Sequence, residues 1–221
     1  MVTRRNEVVS VQERERLLHD VHVRPCDLPP ETELQALKSG IVAIDTETTG
    51  LDWQHDSIAT VQAYVPHRGV YVVRVCEERP HCLLSILANP KVLKVFHYAA
   101  FDLRFIVKRW PTSVENIACT KVASKILSGN GGAHHLKDLV SRYLGIELNK
   151  ECGTSDWFAD ELTEEQIRYA ARDAVYLPEL LRELEDRLEQ SGKLQLAHSC
   201  FAFLPTQVLL DLEGVSDVFK Y

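Results

Sequence analysis

Three short stretches of this sequence carry carboxylates in settings where they could do chemistry. The first is Asp45-Thr46-Glu47, closing the apolar run IVAIDTET. Residues two apart on a strand project from the same face, so both acids would leave the sheet together. The carboxyl end of a buried strand, here just before Thr49-Gly50, is where open α/β sheets place their ligands. The second is Asp102 in FHYAAFD, an acid in the first turn of an otherwise apolar helix. An acid there complements the helix dipole, which alone is an ordinary structural role. The third is Tyr169 with Asp173 in YAARD. Four residues span about 40° around a helix, so the phenol and the carboxylate share a face. Asp173 is flanked by Ala170, Ala171, Ala174 and Val175, a small apolar surface. A lone carboxylate buried on such a surface is strongly destabilising unless a cation accompanies it.

The elements that must position these residues are legible from periodicity and punctuation. Residues 6–20 read as a charged helix, 22–24 as a short edge strand and 31–38 as a helix stopped by Gly40. The run IVAIDTET reads as a buried central strand, since β-formers follow one another without polar alternation. Two β-branched runs, 58–65 and 70–75, are joined by a turn at 66–69 and predict a hairpin. A helix at 82–87, a short strand at 92–96 and a helix at 99–110 closed by Pro111 come next, then an edge strand at 117–119. Helices at 120–127 and 135–144 flank a loop at 128–133. The last long helix has a capping box, Thr163 with Gln166, and a staple of Leu162 with Ile167. It is expected to run unbroken to about Gln190. Strands first, then helices for both faces, predict an α/β sandwich around a mixed central sheet.

Order and context together carry more than any one stretch. An Asp-x-Glu at a strand end, an Asp in a strand-to-helix segment and a Tyr-x-x-x-Asp in a late helix resemble the three exonuclease motifs of the DEDD superfamily. Within it, AIDTETTGLD, KVFHYAAFDL and SDWFADELTEEQIRYAARDAVYL are similar to the ribonuclease D group, over roughly residues 20–205. The histidine subclass has a His five residues before the final Asp, where this chain has Arg168; Tyr169 identifies the tyrosine subclass. The resemblance implies a ribonuclease H-like fold with helices on both faces of the sheet. It divides the chain into an N-terminal helical extension (1–20), a 3′→5′ exonuclease domain (21–205) and a tail (206–221). Ribonuclease D proper continues into helical nucleic-acid-binding domains that are not visible here, so weaker RNA affinity and lower processivity are expected.

The same resemblance implies the site. Asp45, Glu47, Asp102 and Asp173 would hold two divalent cations, Mg²⁺ or Mn²⁺, because hard oxygen ligands favour these over zinc. Asp45 would bridge both ions, Glu47 and Asp173 would complete the one that activates water, and Asp102 would support the other. Tyr169 would orient the attacking water, being too weak an acid to serve as a general base. Thr46, Thr48 and Leu51 are candidates to contact the terminal nucleotide, and His97 and Phe101 to line its pocket. Tyr98 departs from the pattern, since many relatives have Asn there. The implied reaction releases nucleoside 5′-monophosphates from RNA 3′ ends, tRNA precursors for example. The alternatives are a 3′→5′ DNA exonuclease and a non-catalytic nucleic-acid-binding module.

Bulk properties set the frame. The chain has 221 residues, 45% hydrophobic and 26% charged, which suits one globular core, and no stretch approaches the ~20 apolar residues of a membrane helix. The net charge of −7 argues against a polyanionic substrate, yet residues 91–150 carry ten Lys/Arg against four acids. A basic middle between acidic ends still attracts phosphate locally. Single-stranded RNA 3′ ends are the expected partner, with no membrane; a homodimer is one possible arrangement. The six cysteines are scattered without a Cys-x-x-Cys pair, which predicts six free thiols in a cytoplasmic protein. Residues 129–132 lack the Gly-Lys-Ser/Thr ending of a phosphate loop, and His134-His135 has no partner at ligand spacing. Trp157 is expected to pack over the last helix.

Overall fold

The computed structural model describes residues 11–129, 131–148, 155–215 and 218–219. Six strands form one sheet: β1 (Val21–Pro25), β2 (Ile41–Thr48), β3 (Ile58–Val65), β4 (Gly69–Arg74), β5 (Leu93–Phe96) and β6 (Ile117–Cys119), in the order β1-β4-β3-β2-β5-β6. The β2–β3 and β3–β4 pairs are antiparallel, while β4–β1, β2–β5 and β5–β6 are parallel. The mixed sheet expected from the sequence is therefore present, with β1 and β6 at its edges. The leading residues of β2, Ile41 to Ile44, are all buried, as are all eight of β3. Such unbroken burial requires cover on both faces, which is why these strands lack polar alternation.

Nine helices are seen among the described residues: α1 (Val11–His19), α2 (Pro30–Ser39), α3 (His81–Ala88), α4 (Ala99–Arg109), α5 (Thr120–Ser128), α6 (Leu136–Leu144), α7 (Glu164–Val175), α8 (Leu177–Gln190) and α9 (Leu194–Leu212). The start expected for the charged N-terminal helix, at residue 6, lies outside the described residues.

The side on which α7 lies follows from register. Asp45 pairs with Gln62 and Gln62 with Val72, and residues directly opposite each other on antiparallel strands share a face. Val72 packs in one apolar cluster with Ala170 of α7 and Trp157. Hence α7 covers the face that carries Asp45 and Glu47. Its start is the capping box read from the sequence: Thr163 Oγ1 accepts the Gln166 backbone N–H at 3.2 Å, and Gln166 Oε1 accepts that of Thr163 at 2.9 Å.

Two expectations are corrected. The single helix predicted to run from 163 to about 190 is broken at Tyr176 into α7 and α8. Pro178 stands at the start of α8, has no N–H to offer the carbonyl of Ala174, and so interrupts the helix there. The six free thiols are also not found. Cys26 and Cys76 form a disulfide, with Cα atoms 5.1 Å apart and a sequence separation of 50. Their meeting is a product of topology: Pro25 is in register with Arg74, so the residues just beyond β1 and β4 emerge together. Cys82, Cys119 and Cys200 are free thiols, and Cys152 lies outside the described residues.

The apolar C-terminal segment continues past Pro205 as α9, packing on α4, α5 and β6. Arg104 on α4 anchors it through a 2.6 Å bond to Asp211. Among the described residues, no helix is long and apolar enough to cross a membrane.

Candidate active site: a cluster of four carboxylates

The carboxyl end of β2, the first turn of α4 and the inner face of α7 converge. Carboxylate oxygens of Asp45, Glu47 and Asp173 lie within 4.8 Å of one another. Asp102 is buried beside them, its Oδ1 accepting a 2.7 Å hydrogen bond from Thr46 Oγ1. All four predicted acids are thus in one place. A register shift in the β2–β3 pairing between Glu47 and Thr48 turns the strand end just past the cluster.

The electrostatics of this arrangement are unfavourable to anions. Burial pushes Asp45 well above the usual carboxylate range, and the charges of Asp102, Asp173 and Glu47 push it further. Glu47 rises to about 9, from burial first and then from Asp173 and Asp102. Asp102 rises to about 7 through burial, opposed by its hydrogen bond from Thr46. Asp173 also rises to about 7 through burial, opposed by Arg172 and by the phenol of Tyr169. Among the described residues, no cationic side chain relieves Asp45 or Glu47. Four acids that cannot all ionise unaided, offering only hard oxygen donors, fit a divalent cation.

Tyr169 stands one helical turn before Asp173 and hydrogen-bonds to it. Burial first, then Asp173, Glu47 and Asp45, hold its phenol protonated far beyond neutral pH, so its O–H remains available to donate. Trp157 packs against it with ring centroids 6.1 Å apart, as expected of a residue covering the last helix. That tryptophan is held by its neighbours. Gln166 Nε2 donates to the Asp156 carbonyl at 3.0 Å, and the Arg74 guanidinium donates to the carbonyls of Ala159 and Asp160.

The predicted nucleotide-contacting residues divide into two kinds. Thr46 and Thr48 use their hydroxyls internally, Thr46 on Asp102 and Thr48 on the Gly50 carbonyl at 2.6 Å. Leu51 is 84% exposed at the tip of the loop that follows β2. Asp56 braces this loop, accepting the Asp52 N–H at 2.8 Å and the Thr49 hydroxyl at 3.2 Å. A Cβ on Gly50 would run into the Asp56 carboxylate, so a larger residue there would displace this brace. Lys108 Nζ ties the loop to α4 through the carbonyls of Trp53 and Gln54, at 2.8 and 2.6 Å. Leu51 is therefore presented by a fixed loop.

His97 and Phe101 stand at the entry of α4. His97 Nδ1 is 2.9 Å from Thr120 Oγ1, and burial lowers its pKa to about 3, with Lys121 adding to the effect; it is neutral at physiological pH. Phe101 stacks near Tyr98 at 6.0 Å and tilts against Phe105 at 5.0 Å. Lys121 lies 4.1 Å over the Tyr98 ring, which gives that departing residue a cation-π partner. His134, set aside as a metal ligand, is 2.7 Å from Ser124 Oγ and 2.8 Å from the Gly129 carbonyl, closing the glycine-rich loop.

Sequence reading passed over Gln62. It is fully buried beside Asp45 on the neighbouring strand, with its Nε2 2.6 Å from Thr60 Oγ1. A glutamine inside the apolar run IATVQAYV was the signal that could have found it.

A sheet whose central strand and flanking helices bring four acids and one phenol together defines a candidate metal-dependent hydrolase. The chain belongs to the 3′-5′ exonuclease family, whose sequence profile matches residues 21–189. Ribonuclease D of Serratia proteamaculans (strain 568) is 26% identical over 158 residues, covering 72% of this chain and 42% of that protein. The chain thus spans less than half the length of this curated relative. Solved structures of Brucella melitensis NrnC are similar over nearly their whole length. One is 35% identical with a TM-score of 0.83, covering 91% of this chain and 98% of that one. Others were solved with bound Mg²⁺ and bound to pGG. Escherichia coli RNase D, at 21% identity and TM-score 0.72, shares the fold over 81% of this chain and 48% of that one.

Proposed function

We propose that this protein is a metal-dependent 3′→5′ exoribonuclease that releases nucleoside 5′-monophosphates from RNA 3′ ends, those of tRNA precursors being one such substrate. The observation that carries this reading is the meeting of Asp45, Glu47 and Asp173 within 4.8 Å, with Asp102 buried beside them. These four acids would hold two divalent cations, Mg²⁺ or Mn²⁺. Bound there, the cations would acidify a coordinated water and offset charge at the phosphate. The binding of Mg²⁺ by NrnC supports the metal assignment. Residues 21–205 form the exonuclease unit in this reading.

The remaining roles belong to the chain's own residues. Tyr169, kept protonated, would turn its one O–H from Asp173 toward the attacking water and hold it on the α7 side of the phosphate. Thr46 fixes the Asp102 carboxylate, so that acid points the same way whether or not substrate is present. Leu51 and Phe101 offer apolar surface to the last base, and neutral His97 adds no charge beside it. The pGG ligand of NrnC favours short oligonucleotides among the substrates, since that protein resembles 91% of this chain.

The test is a time course in Mg²⁺ with 5′-labelled RNA and DNA of matched sequence. RNA should shorten from its 3′ end in single-nucleotide steps, with nucleoside 5′-monophosphate released. Faster loss of DNA would replace this reading with the DNA exonuclease alternative. Tyr169→Phe should lower kcat by roughly 10- to 100-fold with little change in KM, the scale of one hydrogen bond to a charged group.

A further inference from the structure

The Cys26–Cys76 bond has no part in the proposed hydrolysis, and it sits at a junction. Cys26 follows β1 at φ +63°, a left-handed conformation that a side chain adopts at a cost, and it turns the chain off the sheet edge toward Cys76. Its N–H donates to the Arg74 carbonyl at 2.9 Å, and its neighbour Asp27 accepts the N–H groups of Cys82 and Leu83 at the start of α3, at 2.7 and 3.0 Å. On the other side, the Cys76 carbonyl accepts from Arg109 Nη2 at 3.1 Å, and Arg109 also pairs with Glu77 at 3.4 Å. Both cysteines are half-buried.

A cleft of about 420 Å³ has Cys76 in its lining. Val75, Cys76 and Glu77 form one wall, facing Phe105, Lys108 and Arg109 of α4. Ile58, also on its lining, is in register with Thr48, the residue after Glu47. Phe105 follows Asp102 by one turn of α4. The cleft therefore has the 75–77 segment on one side and, on the other, elements that also carry the carboxylates.

We propose that Cys26 and Cys76 are a reversible thiol–disulfide modification site whose oxidised form locks the 75–77 wall of this cleft. With glutathione disulfide as oxidant, the thiolate of one cysteine attacks a glutathione sulfur and releases one glutathione thiolate. The second cysteine then displaces the other glutathione, forming the Cys26–Cys76 bond. The two thiol protons end on two molecules of reduced glutathione, so electrons and atoms balance. The Glu78 N–H, 3.3 Å from Cys76 Sγ, stabilises a thiolate there, while the Glu78 carboxylate, within 4.8 Å of both sulfurs, opposes it. Any bearing of this lock on the carboxylate site rests on the exonuclease reading; the bond itself does not.

The experiment equilibrates the full chain in glutathione buffers from reducing to oxidising. Alkylation with mass spectrometry reads the thiols, and hydrogen–deuterium exchange reads residues 75–78 and 105–109. Cys26 and Cys76 should lose alkylation together, and those amides should exchange roughly threefold or more slowly once the bond forms. Cys26→Ser should instead trap glutathione on Cys76 and exchange at the reduced rate in both buffers, with Cys76→Ser giving the converse. A pair that stays open to alkylation in every buffer, or equal exchange in both states, overturns the proposal. Absence of nuclease activity in both buffers would count against the exonuclease reading while leaving these two readouts in place.

Discussion

Asp45→Asn should reduce RNA hydrolysis in Mg²⁺ by about a thousandfold or more, the scale of losing one member of a catalytic group that acts as a unit. It should also raise the melting temperature of the metal-free protein. Both follow from one fact: Asp45 is held within the mutual repulsion of Glu47, Asp102 and Asp173 in a buried site. An amide of the same shape removes one repelling charge and also a charged ligand. Thermal denaturation in EDTA beside a single-turnover assay separates this from simple damage to the fold. A variant that loses activity and also melts lower would contradict the account, because its carboxylate would then be stabilising the metal-free chain.

The second large effect concerns pH. Asp102 and Asp173 have folded values of about 7 and Glu47 of about 9, against ordinary values of 3.8 and 4.5. Acids raised in this way bind protons more tightly in the folded state than in the unfolded one. Their stabilising contribution is complete below the ordinary values and disappears as pH climbs through the folded ones. The metal-free protein should therefore lose stability from about pH 5 to pH 9, at about 1.4 kcal/mol per pH unit for each full proton of difference. Mg²⁺ binds the ionised acids, so saturating Mg²⁺ should flatten the decline above pH 7. Urea denaturation at three pH values, with EDTA and with Mg²⁺, measures both curves. Stability that rises with pH in EDTA would mean that the cluster is not buried as described.

The parts of this molecule that were legible in the sequence are those whose chemistry limits the residue type. Acids at Asp45, Glu47 and Asp102, a Tyr-x-x-x-Asp face on α7 and the Thr163 capping box all stand where their local patterns put them. The split at Tyr176 was harder to read because apolar periodicity continues through it. Pro178 was the only mark, and a proline in the first turn of a helix is also an ordinary helix start. The disulfide was invisible for a different reason. It depends on β4 lying beside β1, a pairing set by strand order and not by any spacing of cysteines. The same holds for Thr46 and Asp102, 56 residues apart, which only the junction of β2 and α4 brings within 2.7 Å. The order of the motifs and the family resemblance singled out the acids; long-range packing decides what surrounds them, from Gln62 beside Asp45 to Trp157 against Tyr169.

The central claim, that these four carboxylates form the metal site of a nuclease, is tested most directly by anomalous diffraction from a crystal soaked in Mn²⁺. Two peaks roughly 4 Å apart are expected, contacting Asp45, Glu47 and Asp173, with Asp102 beside the second. A crystal with no peak at Asp45, or with Mn²⁺ bound only elsewhere, would contradict it.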